Sequence, residues 1–549
     1  MKITANNAAQ TLINEGLQKL DSLNFTQKLY AHDGTLWKQD SESVNFINGF
    51  LGWTEIYNWT LEQLPQIQSF AQEVRPLFGD IVLMGMGGSS LAPEVLRRLS
   101  GPREGWPRLL VLDSTNPGRV ASVRAQINPA RTLFIFASKS GGTVEPASQF
   151  AYFYEEVSKV SQNPGANFIA ITDAGTGLET LAKEKKFRRV FINPADIGGR
   201  FSALSLFGAV PAVLSGFDAE GMLKSAAAAG EVFKTSQNNA AASLGALMGA
   251  AFARGRDKLT LLMPSHIASF GLWIEQLVAE STGKEGKGIV PVAGEALHKN
   301  FTYNNDRVFV YISCEGTDNE AVKEAAAALA KTGHPVFEVQ MDGPCDIGAQ
   351  FLLWEVATAA AGALMQINPF DQPNVQLAKT ITKGLLADLE AGKKSAQTTA
   401  EFIASKNIAG SVGFDALGGD LYKLLGKHDY IALLAYLNET PETESVLYAL
   451  RDKIFMRTKN AVLFGYGPRY LHSTGQLHKG DGNNGVFIVL TEEAEEDIKI
   501  PAQKYGFEAL CNAQALADFK ALEEKGRRAV KLHLNKPAAR ALAELSKKF

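Results

Sequence analysis

From residue 80 onward, short apolar runs alternate with amphipathic stretches, and this alternation restricts the possible folds more than anything else in the chain. IVLMG (81–85), LLVLD (109–113), TLFIFAS (132–138), NFIAIT (167–172) and VFIN (190–193) read as strands, with helical periodicity at 91–99, 117–127 and 145–160. Strands alternating with helices predict a parallel sheet covered on both faces. The rhythm then repeats. LTLLM (259–263), VFVYIS (308–313) and VFEVQM (336–341) read as strands, and 267–281, 319–332 and 350–365 as helices. Two successive α/β domains are expected, at 76–235 and 236–395. Residues 1–75 have helical spacing and the aromatics Trp37, Trp53 and Trp59, so they are read as a helical N-terminal region without visible chemistry. The polar stretch 391–402 reads as a linker. Beyond it YIALLAYL (430–437), AVLFGYG (461–467) and GVFIVLT (485–491) predict a further α/β region over 396–549.

Bulk properties narrow the function. At 549 residues the chain is too long for one core. A net charge of −3 supplies no basic field for nucleic acid or an anionic membrane. Cys314, Cys345 and Cys511 show no CxxC spacing, which argues against a disulfide framework or a zinc site. MKITANNAAQTLINEG lacks an apolar signal core, and no apolar run approaches a membrane span. A cytoplasmic protein is expected, with no cofactor and no metal.

Two loops look built for a phosphate dianion. GMGGSS (85–90) follows a strand and opens a helix, so Gly87, Gly88 and Ser89 can bring backbone N–H groups close to an anion. A dinucleotide site is the rival, with Asp113 as the ribose acid. Ser90 replaces the third glycine of that fingerprint, and Asp113 lies 28 residues after Gly85. SKSGGT (138–143) places Ser138, Lys139, Ser140 and Thr143 after the third strand of the sheet. Three hydroxyls beside backbone N–H groups suit a phosphate monoester. In such sheets ligands bind beyond the carboxyl ends of the strands.

These motifs, with GGRFS (198–202), AESTGKEGKG (279–288) and NPFDQPNVQLAK (368–379), resemble the phosphoglucose isomerase family. The resemblance covers about 80–380 and implies two sugar-isomerase (SIS-type) doubly wound domains, between the helical N-terminal region and an extra C-terminal α/β region. It implies interconversion of glucose 6-phosphate and fructose 6-phosphate. Glu280 would be the base, Arg200 would stabilise the enediolate, Lys379 would help open the ring and Gln372 would touch substrate. Gln372 and Lys379, seven residues apart on a predicted helix, would share one face. Lys284 and Lys287 would add positive potential.

The histidine departs from the family pattern. Its bacterial members carry LHSxGQ about twenty residues after the glutamate, whereas here LHSTGQLHKG stands at 471–480. His472 is then the expected ring-opening acid/base, with Gln476 and His478 nearby, and His298 in GEALHKN is the alternative. The resemblance extends to the isomerase half of fused transaldolase–isomerase proteins, although 1–75 is too short for a barrel of eight βα units. The expected partner is a small sugar phosphate, with a homodimer open. A dual glucose/mannose 6-phosphate isomerase and a non-catalytic sugar-phosphate sensor are the alternatives.

Overall fold

The structure is a computed structural model that describes residues 2–235, 239–298, 302–317, 319–393, 399–535 and 537–549. Residues 394–398, in the expected linker, lie outside the described residues. In chain order the strands are β1 (Lys2–Ala5), β2 (Asp80–Met84), β3 (Arg108–Leu112), β4 (Thr132–Ala137), β5 (Phe168–Asp173), β6 (Arg189–Asn193), β7 (Lys258–Leu262), β8 (Val290–Val292), β9 (Arg307–Cys314), β10 (Val336–Met341), β11 (Phe402–Ala404), β12 (Tyr430–Tyr436), β13 (Ala461–Tyr466), β14 (Gly485–Glu492) and β15 (Arg528–Leu534).

They form three five-stranded sheets: β3-β2-β4-β5-β6, β1-β10-β9-β7-β8 and β11-β15-β14-β12-β13. The first is parallel throughout. The other two are parallel except for one antiparallel edge, β1 on β10 and β11 on β15. The expected α/β class with parallel sheets and a helical N-terminal region is therefore what the chain adopts. Each apolar run read as a strand folds as one, because burial on both faces demands a continuous apolar segment. Four strands were not read from the sequence. β1, β8 and β11 span three or four residues each, and β15 carries Arg528, Lys531 and His533 among its seven residues. The N-terminal region also departs from a purely helical reading, since β1 serves as an edge of the second sheet.

One core runs through the N-terminal helices and the inner faces of the first and second sheets. A second core joins Phe309 and Tyr311 of β9 to Leu433 of β12 and Ile488 of β14. The third sheet is thereby welded to the second. The helix Ile347–Met365 is at the centre of this arrangement. Its length and composition would suit a membrane, but 94% of its apolar window is buried inside the protein. It packs on Ala240–Ala253 so closely that a Cβ on Gly245 would lie 2.5 Å from that of Ala360. Burial pushes the Glu355 carboxyl on this helix well above the usual carboxylate range.

Candidate active site

Glu280 is on the last turn of the helix Phe270–Thr282, which leads from β7 towards β8, and it is buried. Arg200 is in the short turn Gly199–Phe201 after β6, also buried. Arg200 Nη1 lies 3.2 Å from Glu280 Oε1. Its Nε donates to Ser281 Oγ at 2.8 Å, and its Nη2 to the carbonyls of Pro369 and Asp371 at 2.6 and 2.9 Å. One guanidinium thus clamps three of the sequence motifs together. Burial lowers the Arg200 pKa from its ordinary value, against the pull of Glu280 and Asp371. Removing one member of such a buried pair strands the other charge, at a cost of about 3–5 kcal/mol.

His472 ends the turn Arg469–His472, between β13 and β14. Its Nε2 is 2.8 Å from Glu145 Oε1. Glu145 is in the first turn of the helix Val144–Ser158, directly after the SKSGGT loop, where the helix N-terminus favours an anion. Burial alone would raise the Glu145 carboxyl. His472, its hydrogen bond and the more distant Lys379 outweigh burial and hold it below the usual carboxylate range. Gln514, on the helix Phe507–Glu524, donates to the same Glu145 oxygen at 2.8 Å and accepts from Thr115 Oγ1 at 2.6 Å.

A glutamine joins the two charged pairs. Gln276 Nε2 donates to Glu280 Oε2 at 3.0 Å and to the backbone carbonyl of His472 at 2.8 Å. The histidine segment is also wedged onto the glutamate segment. A Cβ on Gly283 would lie 2.3 Å from Leu477 Cα, so the chains touch backbone to backbone there. Gln476 Nε2 donates to the Gly283 carbonyl at 2.8 Å, and its Oε1 accepts from Asn374 N–H at 2.9 Å.

In front of His472 is a cavity of about 750 Å³, lined by Ser140, Thr143, Glu145, Lys379, His472 and Lys479 among others. The hydroxyl loop is at this cavity. Ser138 Oγ and Thr143 Oγ1 are 3.2 Å apart, and Gly141 N–H donates to Ser138 Oγ at 3.1 Å. Lys479 is buried and pairs with Asp518 at 2.5 Å.

Several expected residues stand elsewhere. The ammonium of Lys139 pairs with Asp173 and donates to the Ala195 carbonyl at 2.8 Å, so it faces away from the cavity. Gln372 precedes the helix Val375–Glu390, which begins too late for it to share a helical face with Lys379, and it does not line the cavity. Gly87, Gly88 and Ser89 also lie off the cavity wall. Gly87 has a φ of +53°, and a Cβ there would lie 2.8 Å from both Gln276 Nε2 and the His472 carbonyl. A Cβ on Gly88 would lie 1.8 Å from the Gly199 carbonyl. That loop therefore abuts the Arg200, Gln276 and His472 segments. Lys284 donates to the Asp371 carbonyl at 2.6 Å, and Lys287 to the Met365 carbonyl at 2.7 Å, so both anchor loops. Burial, then Arg200, pulls the Lys284 amine down to about 8. His478 is fully buried, and burial holds its imidazole well below the usual value. His298 Nε2 lies 2.5 Å from Asp452, on the third-sheet helix Pro441–Thr458, and does not line the cavity.

Glu145, Gln276 and Gln514 were missed in the sequence. Glu145 follows Thr143 by two residues and Gln276 precedes Glu280 by one helical turn, so local spacing could have found both. Gln514 is 369 residues from its partner and leaves no local signal.

Residues 69–296 match the family model of phosphoglucose isomerase. The chain is 25% identical to a probable glucose-6-phosphate isomerase of Methanococcus maripaludis, over 65% of this chain and 89% of that protein. It is 28% identical to a glucose-6-phosphate isomerase of a Cyanothece species, over 68% of this chain and 79% of that one. In fold it resembles a hypothetical protein from Thermus thermophilus, with a TM-score of 0.59 at 23% identity over 70% of this chain and 100% of that one. A glucose-6-phosphate isomerase from Chlamydia trachomatis matches in fold with a TM-score of 0.55 at 18% identity, over 69% and 86% of the two chains. The chain is thus similar to the phosphoglucose isomerases, whose family model matches its residues 69–296.

Proposed function

We propose that the protein is a glucose-6-phosphate isomerase, an aldose–ketose isomerase that interconverts glucose 6-phosphate and fructose 6-phosphate. The observation that carries this reading is the bridge at Gln276. It ties the Arg200–Glu280 pair, which lies behind the cavity wall, to the segment of His472, which lines the cavity together with Ser140, Thr143 and Lys379.

The phosphate would rest on the Ser140–Thr143 loop. His472, oriented by Glu145, would give a proton to the ring oxygen while the C1 hydroxyl loses one, with Lys379 alongside, and the ring opens. Glu280 would then take the proton from C2. The electrons of that C–H bond form the C1=C2 double bond, and the charge falls on O1. Arg200, a fixed cation in a water-poor site, would stabilise this cis-enediolate. Return of the proton to C1, with transfer of the O2 proton to O1, gives the ketose. Such an enzyme of free sugar phosphates would work in the cytoplasm.

The test is a coupled assay for glucose 6-phosphate formed from fructose 6-phosphate, run with Glu280→Gln beside the parent. General-base catalysis is worth about 10²–10⁴-fold, so the variant should lose at least about 10²-fold in kcat with its circular dichroism unchanged. Near-parent turnover in the folded variant would overturn the reading. Mannose 6-phosphate in the same assay measures selectivity at C2. A sensor would bind these sugars and turn over neither.

A further inference from the structure

The second and third sheets have the same winding. In the second, β7 pairs with β8 on one side and β9 on the other, and β10 lies beyond β9. In the third, β12 pairs with β13 and β14, and β15 lies beyond β14. In both, a short strand from earlier in the chain closes the far edge antiparallel: β1 on β10, and β11 on β15. The first sheet repeats the same order over its first four strands and ends in a fifth parallel strand. The chain therefore holds three copies of one unit.

The unit gives the two reactive groups different addresses. Glu280 lies between the first and second strands of the second unit. His472 lies between the second and third strands of the third unit. The equivalent slot of the second unit, between β8 and β9, holds His298, which pairs with Asp452 away from the cavity. The second unit thus has a histidine in the matching slot but does not aim it at Glu280.

The third unit is bound to the first two by polar contacts, of which those at Glu145 and Gly283 are buried. Arg469 donates to Asp113 at 2.6 and 2.8 Å, and Asn116 to Glu492 at 3.0 Å. Arg451, on the helix Pro441–Thr458, donates to the Ala293 and Gly294 carbonyls of the second unit at 2.7 and 3.0 Å. Gln514 reaches Glu145, and Gln476 reaches Gly283, both at 2.8 Å. All of these contacts lie within one chain.

We propose that the third unit is a built-in partner. It seats the His472 segment against the Glu280 segment of the same chain, so each single chain carries one complete site. This rests on the reading of Glu280 and His472 as the paired reactive groups.

Complementation tests it. Chains carrying Glu280→Gln and chains carrying His472→Ala are co-expressed with different tags and copurified, and assayed beside the parent. The parent is also diluted until sedimentation shows a single chain. Expected are a mixture no more active than its components and a parent activity per chain that does not fall on dilution. A site shared between chains would restore one competent site of the two in each copurified mixed dimer, about half of the parent activity. That recovery, or loss of activity on dilution to single chains, would overturn the proposal. If the parent does not isomerise at all, the proposed function falls separately. Calorimetry with fructose 6-phosphate then decides. One sugar bound per single chain, weakened by His472→Ala, supports the built-in partner, and binding that requires two chains overturns it.

Discussion

The first and third units use the same loop positions for opposite purposes. In the first, the connections after its first and third strands read GMGGSS and SKSGGT, glycines and hydroxyls. In the third, the matching connections read LNETP (437–441) and TEEAEED (491–497), with one and five carboxylates. The second set would repel a phosphate, which the proposed function places on the SKSGGT loop of the first. The acidic connections have another use. Glu439 accepts from Arg469 Nη2 at 3.1 Å, and Glu492 accepts from Asn116 of the first unit at 3.0 Å. The winding sets where a loop emerges. Its residues decide whether that loop meets a ligand or a neighbouring unit.

Making the first unit resemble the third should break this contrast most severely. Ser140→Asp puts a carboxylate into the hydroxyl loop. Like-charge juxtaposition costs several kcal/mol, so KM for fructose 6-phosphate should rise by about 10²-fold with the melting temperature little changed. An unchanged KM would place the phosphate elsewhere. Glu145→Gln comes next. It keeps the shape but withdraws the charge facing His472, and kcat should fall about tenfold or more. NMR exchange between the sugar anomers should slow in parallel if the loss is in ring opening.

On the docking side the effects belong to stability. Glu275 is buried at the junction with Arg451, and burial raises its carboxyl to about 8 from an ordinary 4.5. The folded protein therefore keeps a proton that the unfolded chain releases, and stability falls as pH rises from 4.5 towards 8. Glu275→Gln should remove this slope and gain on the order of 1–3 kcal/mol at pH 8, read from urea midpoints at the two ends of that window. Glu439→Gln should cost about 1 kcal/mol, because Arg469 keeps Asp113, and should leave KM alone. A raised KM would give the third unit a part in binding. The smallest effect is reserved for His298→Ala, which should change kcat by less than about twofold. A collapse of rate there would exchange the roles of His298 and His472.

Much of the scaffold was legible because doubly covered strands must be apolar end to end. IVLM, TLFIFA and YIALLAY leave no other reading. β15 was not legible, because Lys531 and His533 interrupt its apolar pattern. The kinship of the second and third units was hidden for the same reason, since β8 and β15 were needed to see the order. In the site, glycines flag the Arg200 and Glu280 segments, and LHSTGQ stands out wherever it falls. The pairing of Glu145 with Gln514 does not, since buried partners far apart in sequence need have no common spacing.

The antiparallel edge strand β1 has a consequence for how the chain is made. Thr4 Oγ1 donates to Glu338, 334 residues later, across the β1–β10 edge. At about 5–20 residues per second, synthesis leaves β1 waiting roughly 15–70 s for the strand it borders. The first sheet, whose strands all lie between Asp80 and Asn193, can assemble during that interval. The second cannot close until β10 emerges. On the ribosome, the strands of the first sheet should therefore pair well before the unit that carries Glu280 is complete, while the core shared by the two sheets waits for β10.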